Sequence, residues 1–298
     1  MSSTLLTPTR TQSPADWRVI PSTGTLGARV DGIDLGAVSR DGEAFAALRR
    51  LLLEHKVLFF RDQPLEPGEH VALGSMLGPL EDHPMVPSDP EHPGLVQIYK
   101  DLDSPPERYE NSFHSDGSWR EEPPMAAILR CRECPSTGGD TIWVDMVRAL
   151  ADLPESIRST IADLRARHSI EATFGAVLPQ DQRHALAGRY PDAEHPVVRT
   201  HPETGEQILY VNSFTTHFVN FHTPQRVQHG TDYTQGAAEL MAYLKGRAMV
   251  PEYQVRWTWE PDSVAIWDNR STQHYAVMDY WPAVRKMDRA SVCGDRPY

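Results

Sequence analysis

The chain has 298 residues, 40% hydrophobic and 23% charged, with 29 basic against 41 acidic residues and a formal net charge of −12. A chain of this length can bury roughly 75% of the surface its unfolded form exposes. Collagen, coiled coil and wholesale disorder are excluded. The acidic balance argues against a nucleic-acid partner, which needs a basic face that releases counterions. It leaves room for a small basic pocket that takes an anionic metabolite.

The most apolar runs, Val57–Phe60 and residues 264–267, fall far short of the ~20 residues a spanning helix needs. No membrane partner is therefore expected. Residues 1–16 are polar and rich in Ser and Thr, without the apolar core of a secretory signal, and read as a loose tail. Three cysteines, Cys131, Cys134 and Cys293, make no disulfide framework, which suits a reducing cytoplasm. The Cys131-x-x-Cys134 pair lacks the strand-to-helix setting of a redox motif and the second ligand pair of a zinc site. Structural thiols are expected there.

Short strands are predicted at 17–20 and 28–30. A helix follows over 41–55, because Phe45, Leu48, Leu51 and Leu52 recur at three- and four-residue spacing. Val57–Phe60 reads as a buried strand, and 67–77 as a helix with Pro in its first turn. The Pro-, Asp- and Glu-rich stretch 84–111 reads as a long loop. Strands are predicted over 113–144, interrupted by the Gly138-Gly139 turn. Helices follow at 146–151 and 155–165, and 175–196 reads as irregular. A strand at 207–211 precedes a polar insertion at about 220–236. A helix over 237–246 leads to strands at 253–259, 263–267 and 287–293. This is α+β, mainly β, without regular β-α alternation. It suits a double-stranded β-helix (jelly roll) core with flanking helices, in one domain spanning 17–298.

The sharpest motif is Phe113-His114-Ser115-Asp116. In a strand, residues two apart share a face, so His114 and Asp116 can present an imidazole and a carboxylate side by side. These are two ligands of the facial triad that binds non-heme Fe(II) and leaves positions open. The third must be a His from elsewhere, and 13 histidines do not choose among themselves. Alone, such a motif is as compatible with a hydrogen-bonded surface pair. Its context is more specific. Residues 264–274 read as a strand, a polar turn and then His274 entering the next strand. Arg285 and Arg289 lie downstream, and Thr141 follows the Gly138-Gly139 turn. A cofactor that chelates iron at one end and carries a carboxylate at the other needs a distal cation, and Arg with a Thr hydroxyl is a suitable receptor.

With these residues, and with dense matches at 56–63, 135–141, 195–202, 267–270 and 294–295, the chain resembles the taurine/2,4-dichlorophenoxyacetate dioxygenases, the TauD/TfdA type. The resemblance runs from about Val19 to Pro297. It implies an oxidoreductase that uses Fe(II), 2-oxoglutarate and O2 to hydroxylate a small anionic substrate, a sulfonate, sulfate ester, aryloxyalkanoate or amine–acid, with release of succinate and CO2. It implies iron ligation by His114, Asp116 and His274, and binding of 2-oxoglutarate by Thr141 and Arg285. Arg289 resembles the Arg near the iron that meets the substrate anion or the cosubstrate's near carboxylate, and His83 a His on the substrate anion. A dimer or tetramer is expected by analogy. His70, His201, Asn212, His217, His222 and His229 are expected to be non-ligands.

The chain also departs from the taurine enzymes. Glu110 stands where they have Asn, Val86 where they have Tyr, and Gly117 follows the Asp ligand in place of a larger apolar residue. Glu110 facing the cavity would favour a cationic or donor group on the substrate, whereas Glu110 in solvent would be an ordinary loop acid. A specialised-metabolism substrate, a zinc hydrolase on the same triad and a non-catalytic metabolite-binding protein are the other readings. The zinc hydrolase has no need of Thr141 and Arg285 at these positions, and a pure binder gains nothing from keeping an oxidisable metal on an intact triad.

Overall fold

The computed structural model describes residues 13–83, 86–101, 103–104, 111–175, 178–222 and 234–298. In chain order its strands are β1 Arg18–Pro21, β2 Ala28–Asp31, β3 Val57–Phe60, β4 Leu95–Lys100, β5 Ala126–Glu133, β6 Thr141–Asp145, β7 Arg165–His168, β8 Ala193–Pro196, β9 Val198–Thr200, β10 Gln207–Leu209, β11 Thr215–Phe218, β12 Gln254–Trp257, β13 Val264–Asp268, β14 Thr272–Ala276 and β15 Arg285–Val292. Its α-helices are α1 Leu35–Val38, α2 Gly42–His55, α3 Pro67–Leu77, α4 Met146–Ala151, α5 Glu155–Ile161, α6 Glu171–Phe174, α7 Gln180–Arg189 and α8 Gln235–Gly246.

Asp41 starts α2. Its carboxylate accepts hydrogen bonds from the Glu43 and Ala44 N–H groups at 3.0 and 3.1 Å, two of the donors a helix start leaves unpaired. Lys56, at φ 65°, ends the helix and turns the chain into β3. That strand is apolar throughout because it is covered on both faces. Val57 and Phe59 point one way, and Leu58 and Phe60 the other. β13 alternates in the same manner: Val264 and Ile266 meet α2 and α3, while Ala265 and Trp267 face the inner core.

The large sheet has the order β1-β2-β3-β13-β5-β15-β4, antiparallel except where β2 meets β3. Its inner face packs on a three-stranded sheet, β12-β6-β14. Trp143 of β6 makes edge contacts with Phe59 at 5.4 Å and Trp267 at 5.7 Å between ring centroids. Burial of each such aromatic is worth roughly 1.5–3 kcal/mol. A further core gathers α4, α5 and α8 against β7, β10 and β11. The fold is therefore mixed and mostly strands, with helices outside.

Several expectations change. The stretch 84–111 contains β4, an edge strand paired to β15. The stretch 175–196 contains α7 and β8; α7 buries only Leu186, so it carries no apolar period to read. The helix expected over 155–165 ends at Ile161, and β7, β9 and β11 appear where no strand was expected. His114 forms only an isolated bridge, and Asp116 lies in the turn after it rather than in a strand. Most of the insertion at 220–236 lies outside the described residues. No helix among the described residues is long and apolar enough to cross a membrane.

Candidate active site

The site lies between the two facing sheets. The backbone of His114 pairs with that of His274 on β14, N–H to C=O in both directions, at 3.0 and 2.8 Å. Their rings lie 4.2 Å apart between centroids. Asp116 completes the group: its Oδ1 is 3.5 Å from His114 Nε2 and 3.8 Å from His274 Nε2. One ligand atom from each of the three residues can be chosen so that all lie within 4.8 Å of one another. His114 Nδ1 sits 2.7 Å from the Ser112 carbonyl. A carbonyl only accepts, so Nδ1 carries a proton, and Nε2 is the nitrogen turned toward Asp116. Burial, with His114 beside it, lowers the His274 pKa to about 3, so this imidazole is neutral at pH 7. Burial also opposes ionisation of Asp116, but Arg289 and the two histidines hold its carboxyl well below the usual carboxylate range. Two imidazoles and a carboxylate on one side of a centre form the donor set of a facial triad.

Around the triad is a cavity of about 470 Å3. Arg285 and Arg289 share a face of β15 and both line it. Arg285 is buried, and no carboxylate lies within ion-pair distance of it among the described residues. Its Nε donates to the Gly139 carbonyl at 3.2 Å and its Nη2 approaches Thr141 Oγ1 at 3.5 Å. Trp259 Nε1 donates to the same Oγ1 at 3.0 Å. The hydroxyl oxygen thus accepts from two sides and keeps its own proton to donate. Arg289 Nη1 reaches Asp116 Oδ2 at 3.2 Å, while its buried Nε has no hydrogen-bond partner among the described residues. A half-buried guanidinium with a spare buried donor favours a further anion beside Asp116.

His83 and Val86 line the cavity near Arg289. Burial, with Arg289 nearby, lowers the His83 pKa to about 3. Its Nδ1 accepts from the Val86 N–H at 2.9 Å. Glu110 lies outside the described residues. The acid that does line the cavity is Glu81, which the sequence analysis did not single out. The signal was available, since it precedes His83 by two positions. Glu81 pairs with Arg120 Nη2 at 2.6 Å, and burial raises its pKa. Trp119, Phe174 and Phe214, also unanticipated, supply an aromatic wall.

The residues expected to be non-ligands lie elsewhere. His201 Nε2 is 2.9 Å from Asp268 Oδ2, Asn212 bonds to Ser118, and His70 bonds to the Ile128 carbonyl. Among the described residues, His114, Asp116 and His274 are the cluster of metal-ligating type. His229 lies outside them. Cys131 is buried, Cys134 half-buried, and neither is in a disulfide.

Residues 18–291 match the family described as "Taurine catabolism dioxygenase TauD, TfdA family". The chain belongs to this family. It is a dioxygenase, and so an oxidoreductase. Among relatives of the TauD/TfdA chain is an alpha-ketoglutarate-dependent sulfate ester dioxygenase of Pseudomonas putida. The two are 34% identical over 287 residues, which cover 94% of this chain and 90% of the relative. An alkylsulfatase of Acinetobacter baylyi is 36% identical over 283 residues, covering 92% and 84%. The crystal structure of a taurine dioxygenase from Burkholderia xenovorans superposes with a TM-score of 0.76 at 33% identity, covering 95% of this chain and 92% of that one.

Proposed function

We propose that this TauD/TfdA enzyme is an Fe(II)- and 2-oxoglutarate-dependent dioxygenase that hydroxylates a small anionic substrate, with alkyl sulfate esters as the class tested first. The observation that carries the reading is the opening of the metal-type triad and of Arg285, which has no carboxylate partner among the described residues, into one cavity. The facing seven- and three-stranded sheets around it support a double-stranded β-helix core. The similarity to a sulfate ester dioxygenase and an alkylsulfatase supports the substrate class.

In this reading His114, Asp116 and His274 hold Fe(II). Arg285 and Thr141 take the distal carboxylate of 2-oxoglutarate, Arg through its planar fork and Thr through its hydroxyl proton. Arg289 and His83 receive the substrate's anion. The aromatic wall of Trp119, Phe174 and Phe214 would hold an apolar tail and exclude water. The bound metal with 2-oxoglutarate would supply O2-dependent oxidation of a C–H bond, with formation of succinate and CO2. On a carbon bonded to the ester oxygen, hydroxylation gives an unstable adduct that splits to aldehyde and sulfate.

The test is succinate release from 2-oxoglutarate, under O2 with Fe(II), over a panel of alkyl sulfates, alkyl sulfonates, taurine and aryloxyacetates. Succinate and sulfate in equal amounts with an alkyl sulfate is the expected result. Succinate with another member alone would reassign the substrate class. No 2-oxoglutarate turnover with any member, together with tight zinc binding, would overturn the reading.

A further inference from the structure

We propose that Asn269, which does not line the cavity, is the positioning residue of the metal site, holding the backbone of Asp116. This rests on the reading of His114, Asp116 and His274 as the metal triad.

Asp116 has no strand neighbour to fix it. Of the segment that carries it, His114 alone is bridged to β14. Ser115 adds one bond, Oγ to the Thr272 carbonyl at 2.9 Å. Arg289 meets the Asp116 carboxylate, and the Asp116 backbone is held by one side-chain amide. Asn269 Oδ1 accepts from the Asp116 N–H at 2.8 Å, and its Nδ2 donates to the Asp116 carbonyl at 2.9 Å and to the Pro124 carbonyl at 2.8 Å. The Asn269 backbone N–H donates to the Met125 carbonyl at 2.9 Å. One acceptor faces an N–H and two donors face carbonyls, so the flipped amide would put like against like on all three contacts. The residue is 1% exposed.

The base of this staple is itself rigid. Asn269 sits in the turn between β13 and β14. Just before it, the Asp268 carboxylate accepts from His201 Nε2 at 2.9 Å, Arg270 Nη2 at 2.6 Å and the Arg270 N–H at 2.9 Å. The same turn leads into His274. Asn269 therefore fixes the carboxylate ligand to the strand that carries one imidazole ligand, while the His114–His274 backbone pair fixes the other. An amide is required: a carboxylate keeps the acceptor but loses both donors, and Ala loses all three bonds.

Gln63 supplies a matched control away from the cavity. Its Oε1 accepts from the Leu35 N–H at 2.9 Å, and its Nε2 donates to the Ile33 and Arg61 carbonyls at 3.0 and 2.9 Å. Gln63→Ala thus removes the same inventory of bonds from another buried position. The experiment measures the thermal midpoint of each metal-free protein and its Mn(II) affinity by the loss of the free Mn(II) electron paramagnetic resonance signal. Both variants should lower the midpoint. Only Asn269→Ala should weaken Mn(II) binding, by about 10- to 100-fold, the range for residues that orient metal ligands. Should Asn269→Ala not fold, Asn269→Asp, of the same size, carries the same comparison. Native-like Mn(II) affinity in the Asn269 variant, or an equal loss in Gln63→Ala, would overturn the role. No Mn(II) binding by the unmodified protein would overturn the triad reading and this proposal with it.

Discussion

His114 and His274 exchange both backbone hydrogen bonds, at 3.0 and 2.8 Å, so the spacing of two imidazoles is set by main-chain pairing before any metal arrives. Side-chain rotamers then have little left to decide: Ser112 fixes the ring of His114 through Nδ1, and His274 lies 5.1 Å from Trp267 between ring centroids. Such preorganisation means that substitution of a ligand should remove the metal without unfolding the chain. His114→Ala and His274→Ala are each expected to abolish the visible band formed anaerobically with Fe(II) and 2-oxoglutarate, while their thermal midpoints in the metal-free state stay within a few degrees of the parent.

Arg285 should act on 2-oxoglutarate rather than on the substrate. Its guanidinium is buried without an acidic partner among the described residues, so an incoming carboxylate gains a desolvated pair. Arg285→Ala is expected to raise KM for 2-oxoglutarate by roughly 100-fold, ~3 kcal/mol. Thr141→Val should cost about tenfold, the loss of one hydrogen bond to a charged group. A KM effect confined to the substrate would move both residues to the other end of the cavity.

Glu81 places a carboxylate beside the anion-receiving end, with Arg120 offsetting it at 2.6 Å. Glu81→Gln removes a like charge and should lower KM for an anionic substrate by about three- to tenfold, on the order of 1 kcal/mol. Arg120→Ala leaves the acid unpaired and should raise KM. Steady-state kinetics on the pair checks the sign. A raised KM in Glu81→Gln would instead mean that the acid accepts a hydrogen bond from the substrate.

How far the chain could be read follows from where its signals are local. β3 and β13 are short apolar runs because both their faces are covered, and α2 shows its buried face in the spacing of Phe45, Leu48 and Leu52; each is visible in the sequence. β4 is not, because it is an edge strand inside a proline-rich stretch, and α7 is not, because it buries only Leu186. That His114, Asp116 and His274 come together is legible through motif and resemblance, but the reason they converge is not. A strand pleat was expected to align His114 with Asp116, whereas a turn does so, held from β13–β14 by Asn269. Asn269 acts through neighbours about 150 positions away in the chain, and no spacing rule points to it.

That turn makes a further demand at Gly117, whose φ is +62°. A Cβ there would lie 2.6 Å from Pro124 Cδ, on the same proline whose carbonyl Asn269 holds. Gly117→Ala therefore combines left-handed backbone strain with a clash against a ring that cannot swing away. A loss of about 1–3 kcal/mol in urea unfolding is expected, with weaker Mn(II) binding because the displaced segment carries Asp116. Unchanged metal affinity would show that the turn absorbs the shift on the Pro124 side.

Acid sensitivity should come in part from His70, remote from the metal ligands. It is 1% exposed on α3, and its Nε2 lies 3.1 Å from the Ile128 carbonyl in the centre of the large sheet. Burial lowers its pKa from the usual 6.5 to about 4. Between those values the unfolded chain binds a proton that the folded chain does not, so stability rises with pH across this window. The contribution is fully present above pH 6.5, falls as the pH drops toward 4, and levels off below. Its limit is about 3 kcal/mol. His70→Gln removes the titration and keeps a donor for Ile128. Urea midpoints at pH 7 and pH 4.5 should therefore differ less in the variant than in the parent, by a large part of that limit. Equal differences in the two proteins would mean that His70 is protonated in the folded state and that its ring finds an acceptor on both nitrogens.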